Sequence, residues 1–206
     1  MKSAVQCFCC VLTFSAACEA SLIPAVSVSS QGSFTNSASL LTDGFFPAEG
    51  TVWTASTNVH WSGQPGAGGV AFTFDYGSVM NIEDIRYSFD NNDRYHVHHS
   101  TDGVSFLPLS SIVEGDGEVG GGMDTGTGIA GDPEYIANMD FSPVAARYLK
   151  IFASGGDGLY ALAEFQAFGT AVPEPAYSMA ALMLIGSLFG ARHRRQRDRK
   201  NSGTVA

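Results

Sequence analysis

The side chains best suited to chemistry fall in a few short stretches. His96-Val-His98-His99 carries two imidazoles two positions apart. In a strand such residues share a face, and a pair at this spacing can chelate zinc or copper. A zinc site needs a third ligand and groups that orient the rings, and His60 is the available third. The plainer reading is a solvated pair on a sheet surface, with Tyr95, Val97 and His99 turned inward. A second set is His60, Trp61, Asp90, Asn91, Asn92 and Arg94. Sugar recognition needs an aromatic face and hydrogen-bonding side chains on loops at one end of a domain. Trp61 lies in His60-Trp-Ser-Gly-Gln-Pro65 and is the candidate platform, with His60, Asp90, Asn91 and Arg94 as its polar neighbours. Trp53 is expected in the core.

Other chemistries lack their residues. All four cysteines, Cys7, Cys9, Cys10 and Cys18, lie near the start, so residues 21–171 have no thiol chemistry and no disulfide. Gly-x-Ser-x-Gly, His-Glu-x-x-His and phosphate-binding loops are absent. Carboxylates are plentiful, but a glycosidase pair requires a fixed separation across a cleft, and no spacing here specifies one. Residues 21–171 hold four Lys/Arg against seventeen Asp/Glu, a net of −13. That charge would be repelled by a phosphate backbone, so no nucleic acid is expected as a partner. It suits solubility outside the cell, neutral sugars and calcium.

Residues 1–20 have the layout of a signal peptide: Lys2, an apolar stretch from Ala4 to Ala17, and Cys18-Glu19-Ala20 before Ser21. Acylation at Cys18 is the alternative. From Ser21 to Gly169, short alternating segments are separated by Gly, Asn, Asp, Ser and Pro. Val70, Phe72 and Phe74 share one face, as do Ile85, Tyr87 and Phe89. Val26–Ser29, Tyr95–His99, Arg147–Ile151 and Ala163–Ala167 complete the set. No run of about twelve residues has helical periodicity. The pattern predicts an all-β fold, an antiparallel sandwich or jelly roll. Glu114 to Asp132 holds eight glycines and is expected to be one long surface loop.

The strands and turns of the middle stretch resemble the discoidin, or coagulation-factor C-type, family of galactose-binding-like jelly rolls. The pieces are Leu41-Thr-Asp43-Gly44, Val52-Trp53-Thr54, Phe72-Thr-Phe-Asp75-Tyr-Gly77, Ser100-Thr-Asp102-Gly103, Ala146-Arg147-Tyr148-Leu149 and Ala163-Glu164-Phe165-Gln-Ala-Phe168-Gly169. Tyr76 stands where the family usually has Leu, Phe106 replaces a Trp after Gly103, and the glycine-rich stretch is longer than usual. The resemblance implies ligand loops at one end and a structural calcium near Asp43 and Glu164, with Thr51 as a helper.

The end of the chain resembles a PEP-CTERM sorting tail over residues 172–200. Pro173, Glu174 and Pro175 are followed by sixteen uncharged, largely apolar residues, Ala176 to Ala191, and then six Lys/Arg in Arg192 to Lys200. Residues 201–206 are expected to be disordered. As a helix the apolar stretch would reach roughly 24 Å, short of the roughly 30 Å hydrocarbon core. The resemblance implies a temporary transmembrane helix in the inner membrane, a basic block held inside, and cutting near Pro173–Pro175 by an exosortase-type enzyme. Together these readings predict an exported, non-enzymatic module of a Gram-negative cell surface or matrix that binds carbohydrate or exopolysaccharide. A structural matrix protein without a specific ligand is the alternative, and a secreted glycan-processing enzyme comes third.

Overall fold

The computed structural model describes residues 20–172. The expected signal peptide, the motif Pro173-Glu174-Pro175 and the apolar and basic segments after it lie outside these residues. Among the described residues no helix is long and apolar enough to cross a membrane.

The chain folds as an all-β antiparallel sandwich with two short 3-10 turns, Ala38–Leu41 and Ala137–Met139. Its strands are β1 (Ser21–Ile23), β2 (Ser27–Gln31), β3 (Val59–Ser62), β4 (Ala71–Asp90), β5 (Arg94–Ser100), β6 (Leu107–Ile112), β7 (Met123–Thr127), β8 (Val144–Gly155) and β9 (Leu159–Ala171). The twenty-residue β4 serves both layers. Its first part, Ala71–Asp75, pairs with β2 and β8, and β5 and β6 extend that layer. Its second part, Met80–Phe89, pairs with β9, to which β1 and β3 add, while Arg86–Asp90 pairs with β7.

The change of layer happens at Asp75-Tyr76-Gly77, where the β4–β8 register jumps between Asp75 and Met80. Gly77 has φ +79°, a conformation that glycine adopts without steric cost. Its N–H donates to Asp75 Oδ1 at 2.7 Å. Arg147 holds the same carboxylate with two bonds, from Nε at 2.8 Å and Nη2 at 2.9 Å, a paired geometry that fixes direction as well as distance. The Arg147 guanidinium accordingly keeps the Asp75 carboxyl below its usual pKa, as its first cause.

The aromatic residues close the space between the layers. Phe74 stacks on Phe165 with centroids 4.4 Å apart, and Trp61 meets Phe72 at 5.9 Å. Tyr95 reaches across from β5. Its hydroxyl donates to the carbonyl of Ala161 at 2.9 Å and accepts from the Ala161 N–H at 3.1 Å. One hydroxyl thus satisfies both backbone groups of a buried residue on β9.

One irregularity decides which side chains of β9 face in. Opposite Tyr87 and Phe89 stand Phe165 and Leu162, so β9 carries an extra residue there. Such a bulge shifts the alternation by one position. Leu162 and Phe165 both reach the core, and Glu164 turns to the other face. The structure corrects the sequence reading over Glu114 to Asp132. This stretch is not one loop: it contains β7, which is buried along its whole length. Met-Asp-Thr-Gly-Thr hides this because its buried positions include polar residues and a glycine. A Cβ at Gly126 would lie 2.5 Å from Ile136 and 2.8 Å from Met139, so the strand packs where no side chain fits.

Candidate functional site

Neither tryptophan stands where the sequence pattern places it. Trp61 sits in β3, is 3% exposed, and packs edge-on against Phe72 and Tyr95 and tilted on Tyr160. It therefore offers no free face to a ligand. The reason lies in alternation: Val59 and Trp61 share the inward face of β3, and His60 takes the outward one. Trp53 is half-buried instead. It covers a small outer cluster of Met123, Ala161 and Ala163 and meets the His60 ring edge-on at 5.2 Å. Small alanines on β9 leave room for the indole to lie over the sheet.

Asn58 holds Trp53 in place. It is fully buried, and its Nδ2 donates to the carbonyls of Val52 at 3.1 Å and Trp53 at 3.2 Å. Its own carbonyl accepts from Asn36 Nδ2 at 2.7 Å. The loop that presents the indole is thus fastened by a buried amide. Sequence reasoning passed over Asn58; the one available signal was a lone Asn directly before an alternating apolar pair.

The turn between β4 and β5 is divided between scaffold and surface. Asn91 is 2% exposed and belongs to the scaffold. Its Nδ2 donates to the Val119 carbonyl. Its Oδ1 accepts from Gly117 N–H at 3.2 Å, its carbonyl accepts from Gly115 at 3.1 Å, and its N–H donates to Gly122 at 3.0 Å. All four groups fasten the glycine-rich stretch, which corrects the expectation that Asn91 contacts a ligand. Asp90 is also 2% exposed, which removes it from the ligand-facing set. Asn92 and Arg94 are exposed. Asn92 Nδ2 donates to Asp157 Oδ2 at 2.9 Å, and Arg94 pairs with Glu114 at 3.0 Å. His60 is half-buried beside Trp53.

Asp93, not singled out from the sequence, is the other buried acid of this end. Its Oδ1 accepts from the Asp157 N–H at 3.2 Å. Burial, then the charges of Asp90 and Asp157, push its carboxyl up to about 8. Burial, followed by Asp157, pushes Asp90 up to about 6. Two acids that cost energy to ionise thus lie under the exposed rim of Asn92, Arg94 and Asp157.

The calcium residues implied by the resemblance are brought together only in part. Asp43 and Glu164 line one cleft of about 310 Å³. Glu164 is 4% exposed. Its Oε2 accepts from Gly44 N–H at 2.9 Å and its Oε1 from Gln166 at 3.1 Å. Burial raises its pKa, and the Gly44 N–H works against that. Asp43 Oδ1 accepts from Phe45 N–H at 2.9 Å. Thr51 is turned elsewhere. Its hydroxyl donates to Ala48 at 2.6 Å and its carbonyl accepts from Met123 N–H at 2.8 Å, which joins it to β7. A different group of acids could hold a metal ion: Glu49, Glu118, Asp124 and Glu134.

His96 and His98 share the outer face of β5, with ring centroids 6.5 Å apart and Phe152 beside each, at 5.6 Å and 5.0 Å. Burial lowers the pKa of both. Among the described residues they are not part of any three-residue ligand group.

No protein-family model matches the chain, and comparison with curated proteins gives no match. Solved structures do match. A mutant of the lectin binding domain of lectinolysin, complexed with Lewis b, aligns with 14% identity over 72% of this chain and 96% of that one, with a TM-score of 0.51. The Clostridium perfringens module CpGH89CBM32-5, in complex with GalNAc-β-1,3-galactose, aligns with 20% identity over 72% and 100%, with a TM-score of 0.48. The CBM32 of AlyQ, in complex with 4,5-unsaturated mannuronic acid, gives 17% identity over 72% and 98%, with a TM-score of 0.46. At these identities the likeness is one of fold alone, and it agrees with the antiparallel sandwich expected from the strand pattern.

Proposed function

We propose that residues 21–171 form a non-catalytic carbohydrate-binding module, and that Trp53 is its sugar platform. The observation that carries this reading is an aromatic ring held half-exposed by a buried amide, Asn58, with His60 against it. An indole face attracts the apolar face of a pyranose, and its cost in lost side-chain freedom is small when the loop is already fixed. His60 supplies a hydrogen-bonding edge at the platform. Met123, under Trp53, pairs with Asp90 at the start of the β4–β5 turn, so the polar rim of Asn92, Arg94 and Asp157 belongs to the same end of the sandwich. The lectinolysin domain, of the same fold, was solved with Lewis b, which supports a glycan over another small molecule.

The sequence supports a place for this module. A signal peptide over residues 1–20 exports it, and the tail over 172–200 holds it in the inner membrane until an exosortase-type enzyme cuts near Pro173–Pro175. The ligand is then exopolysaccharide or a surface glycan met outside the cell. An intact mass of the mature protein that still includes Arg192–Lys200 contradicts the processing step.

A glycan array probed with the purified full chain tests the binding. The expected result is a restricted set of bound glycans, with affinity at least tenfold lower in Trp53→Ala and unchanged folding by circular dichroism. Signal that is equal on every glycan, or unaltered by Trp53→Ala, overturns the reading and leaves a matrix protein without a specific ligand.

A further inference from the structure

Four carboxylates from four separate stretches converge beside β7. One oxygen each from Glu49, Glu118, Asp124 and Glu134 lies within 4.8 Å of all the others. Glu49 comes from the turn before Thr51, Glu118 from the glycine-rich stretch, Asp124 from β7 and Glu134 from the segment after it. Asp124 is 1% exposed. Its oxygens meet only two amides, Thr125 N–H at 2.8 Å and Val119 N–H at 3.3 Å, and among the described residues no cation forms an ion pair with it. Glu134 Oε2 is closed off from solvent and has no hydrogen-bond partner.

The nearby cation does not answer this charge. Arg86 Nη1 pairs with Asp132 at 3.3 Å, and its guanidinium lies over the Phe46 ring. Among the described residues Glu134 takes part in no ion pair. The backbone is shaped around the cluster. Gly117 lies so close to the Asp124 carboxylate that no side chain could stand there, and a Cβ at Gly122 would meet the Thr51 carbonyl at 2.8 Å.

We propose that Glu49, Glu118, Asp124 and Glu134 form a calcium site. Calcium accepts six to eight oxygens in flexible geometry, whereas magnesium requires a near-ideal octahedron and keeps most of its water. One buried, one half-buried and two exposed acids, one of them on a glycine-rich segment, suit the first and not the second. The ion clamps the glycine-rich stretch to the turn at Ala48–Thr51, which β7 already joins through Gly50 N–H to Met123 and Met123 N–H to Thr51, both at 2.8 Å. This site is separate from the Asp43–Glu164 cleft, with which it shares no residue. It does not depend on the sugar reading.

The test is calcium titration of the purified full chain by calorimetry, with thermal melts in calcium, in magnesium and in chelator. The variants are the doubly substituted Glu49→Gln/Glu118→Gln, whose side chains are exposed and whose fold is safe, and Glu164→Gln as the contrast. Calcium is expected to raise the melting temperature of the parent, as any ligand of the folded state does, and magnesium is expected to raise it less. The double variant is expected to bind calcium at least tenfold more weakly, and to melt in chelator no lower than the parent because repulsion is relieved. Glu164→Gln is expected to bind as the parent does. No binding at millimolar calcium overturns the proposal. So does equal affinity in the double variant, or loss of binding in Glu164→Gln alone.

Discussion

Removing the hydroxyl of Tyr95 should destabilise the sandwich far more than the loss of one atom suggests. In Tyr95→Phe the ring still fills its fully buried place, so no large cavity forms. What is lost is the partner of two backbone groups. The Ala161 carbonyl and the Ala161 N–H both bond that hydroxyl, at 2.9 Å and 3.1 Å, and Ala161 is fully buried. A buried polar group left without a partner costs about 1–3 kcal/mol, so two of them cost roughly 2–4 kcal/mol once water entry or small shifts recover part. For a domain of about 150 residues, 1 kcal/mol moves the melting temperature by roughly 2–4 °C. The expected fall is therefore roughly 5–15 °C by scanning calorimetry at neutral pH. Tyr160→Phe is the control, since the Tyr160 hydroxyl makes no hydrogen bond among the described residues, and it should melt within about 2 °C of the parent. A Tyr95→Phe melt as close as that to the parent refutes the view that this hydroxyl bridges the layers.

Two further outcomes follow from particular contacts. Asp93 has a folded pKa of about 8 against 3.8 for the free acid, so the folded state keeps a proton that the unfolded state releases. Stability should fall as pH rises from about 4 to about 8. Asp90 adds to the fall up to about 6. Asp93→Asn can still accept the Asp157 N–H, so its advantage over the parent should grow from pH 5 to pH 8 in parallel melts; a difference independent of pH contradicts the burial argument. Gly126→Val places branched carbons where Ile136 and Met139 leave no space. It should cost at least about 1–3 kcal/mol in urea unfolding, and a variant as stable as the parent shows that β7 does not pack here.

The strands whose alternation is plain, such as Val70–Phe74 and Ile85–Phe89, were legible in the sequence, and with them the sandwich. What was hidden has physical causes. β7 is buried on both faces, so Met123-Asp-Thr-Gly-Thr127 shows no two-residue period. The extra residue in β9 turns Glu164 away from the core face at a position where simple counting does not reveal it. Val59–Ser62 is a strand of only four residues, too short for its alternation to stand out from the turn residues that follow it. Once those residues are extended, alternation alone puts Trp61 inside. Trp53 depended on something a single sequence does not display: the two alanines of a distant strand that give its ring a seat. The acidic cluster was the least visible, because its four members are spread from residue 49 to residue 134 and only the folded chain brings them together.

The short pairing of β1 with β9 fixes how the molecule is held. Ser21 lies opposite Gly169, so the chain enters and leaves the sandwich at neighbouring points of one end. The far end of β9 begins at Leu159, next to the turn that carries Asp157. Thirteen residues of strand at roughly 3.3 Å each separate that turn from the exit by about 40 Å. The rim of Asn92, Arg94 and Asp157 therefore lies at the end of β9 remote from Ala171. Tension between the two ends of the chain would peel β1 from β9 one bond at a time, because both exits lie on the same side, and would leave the remote rim unloaded until the sandwich itself opened.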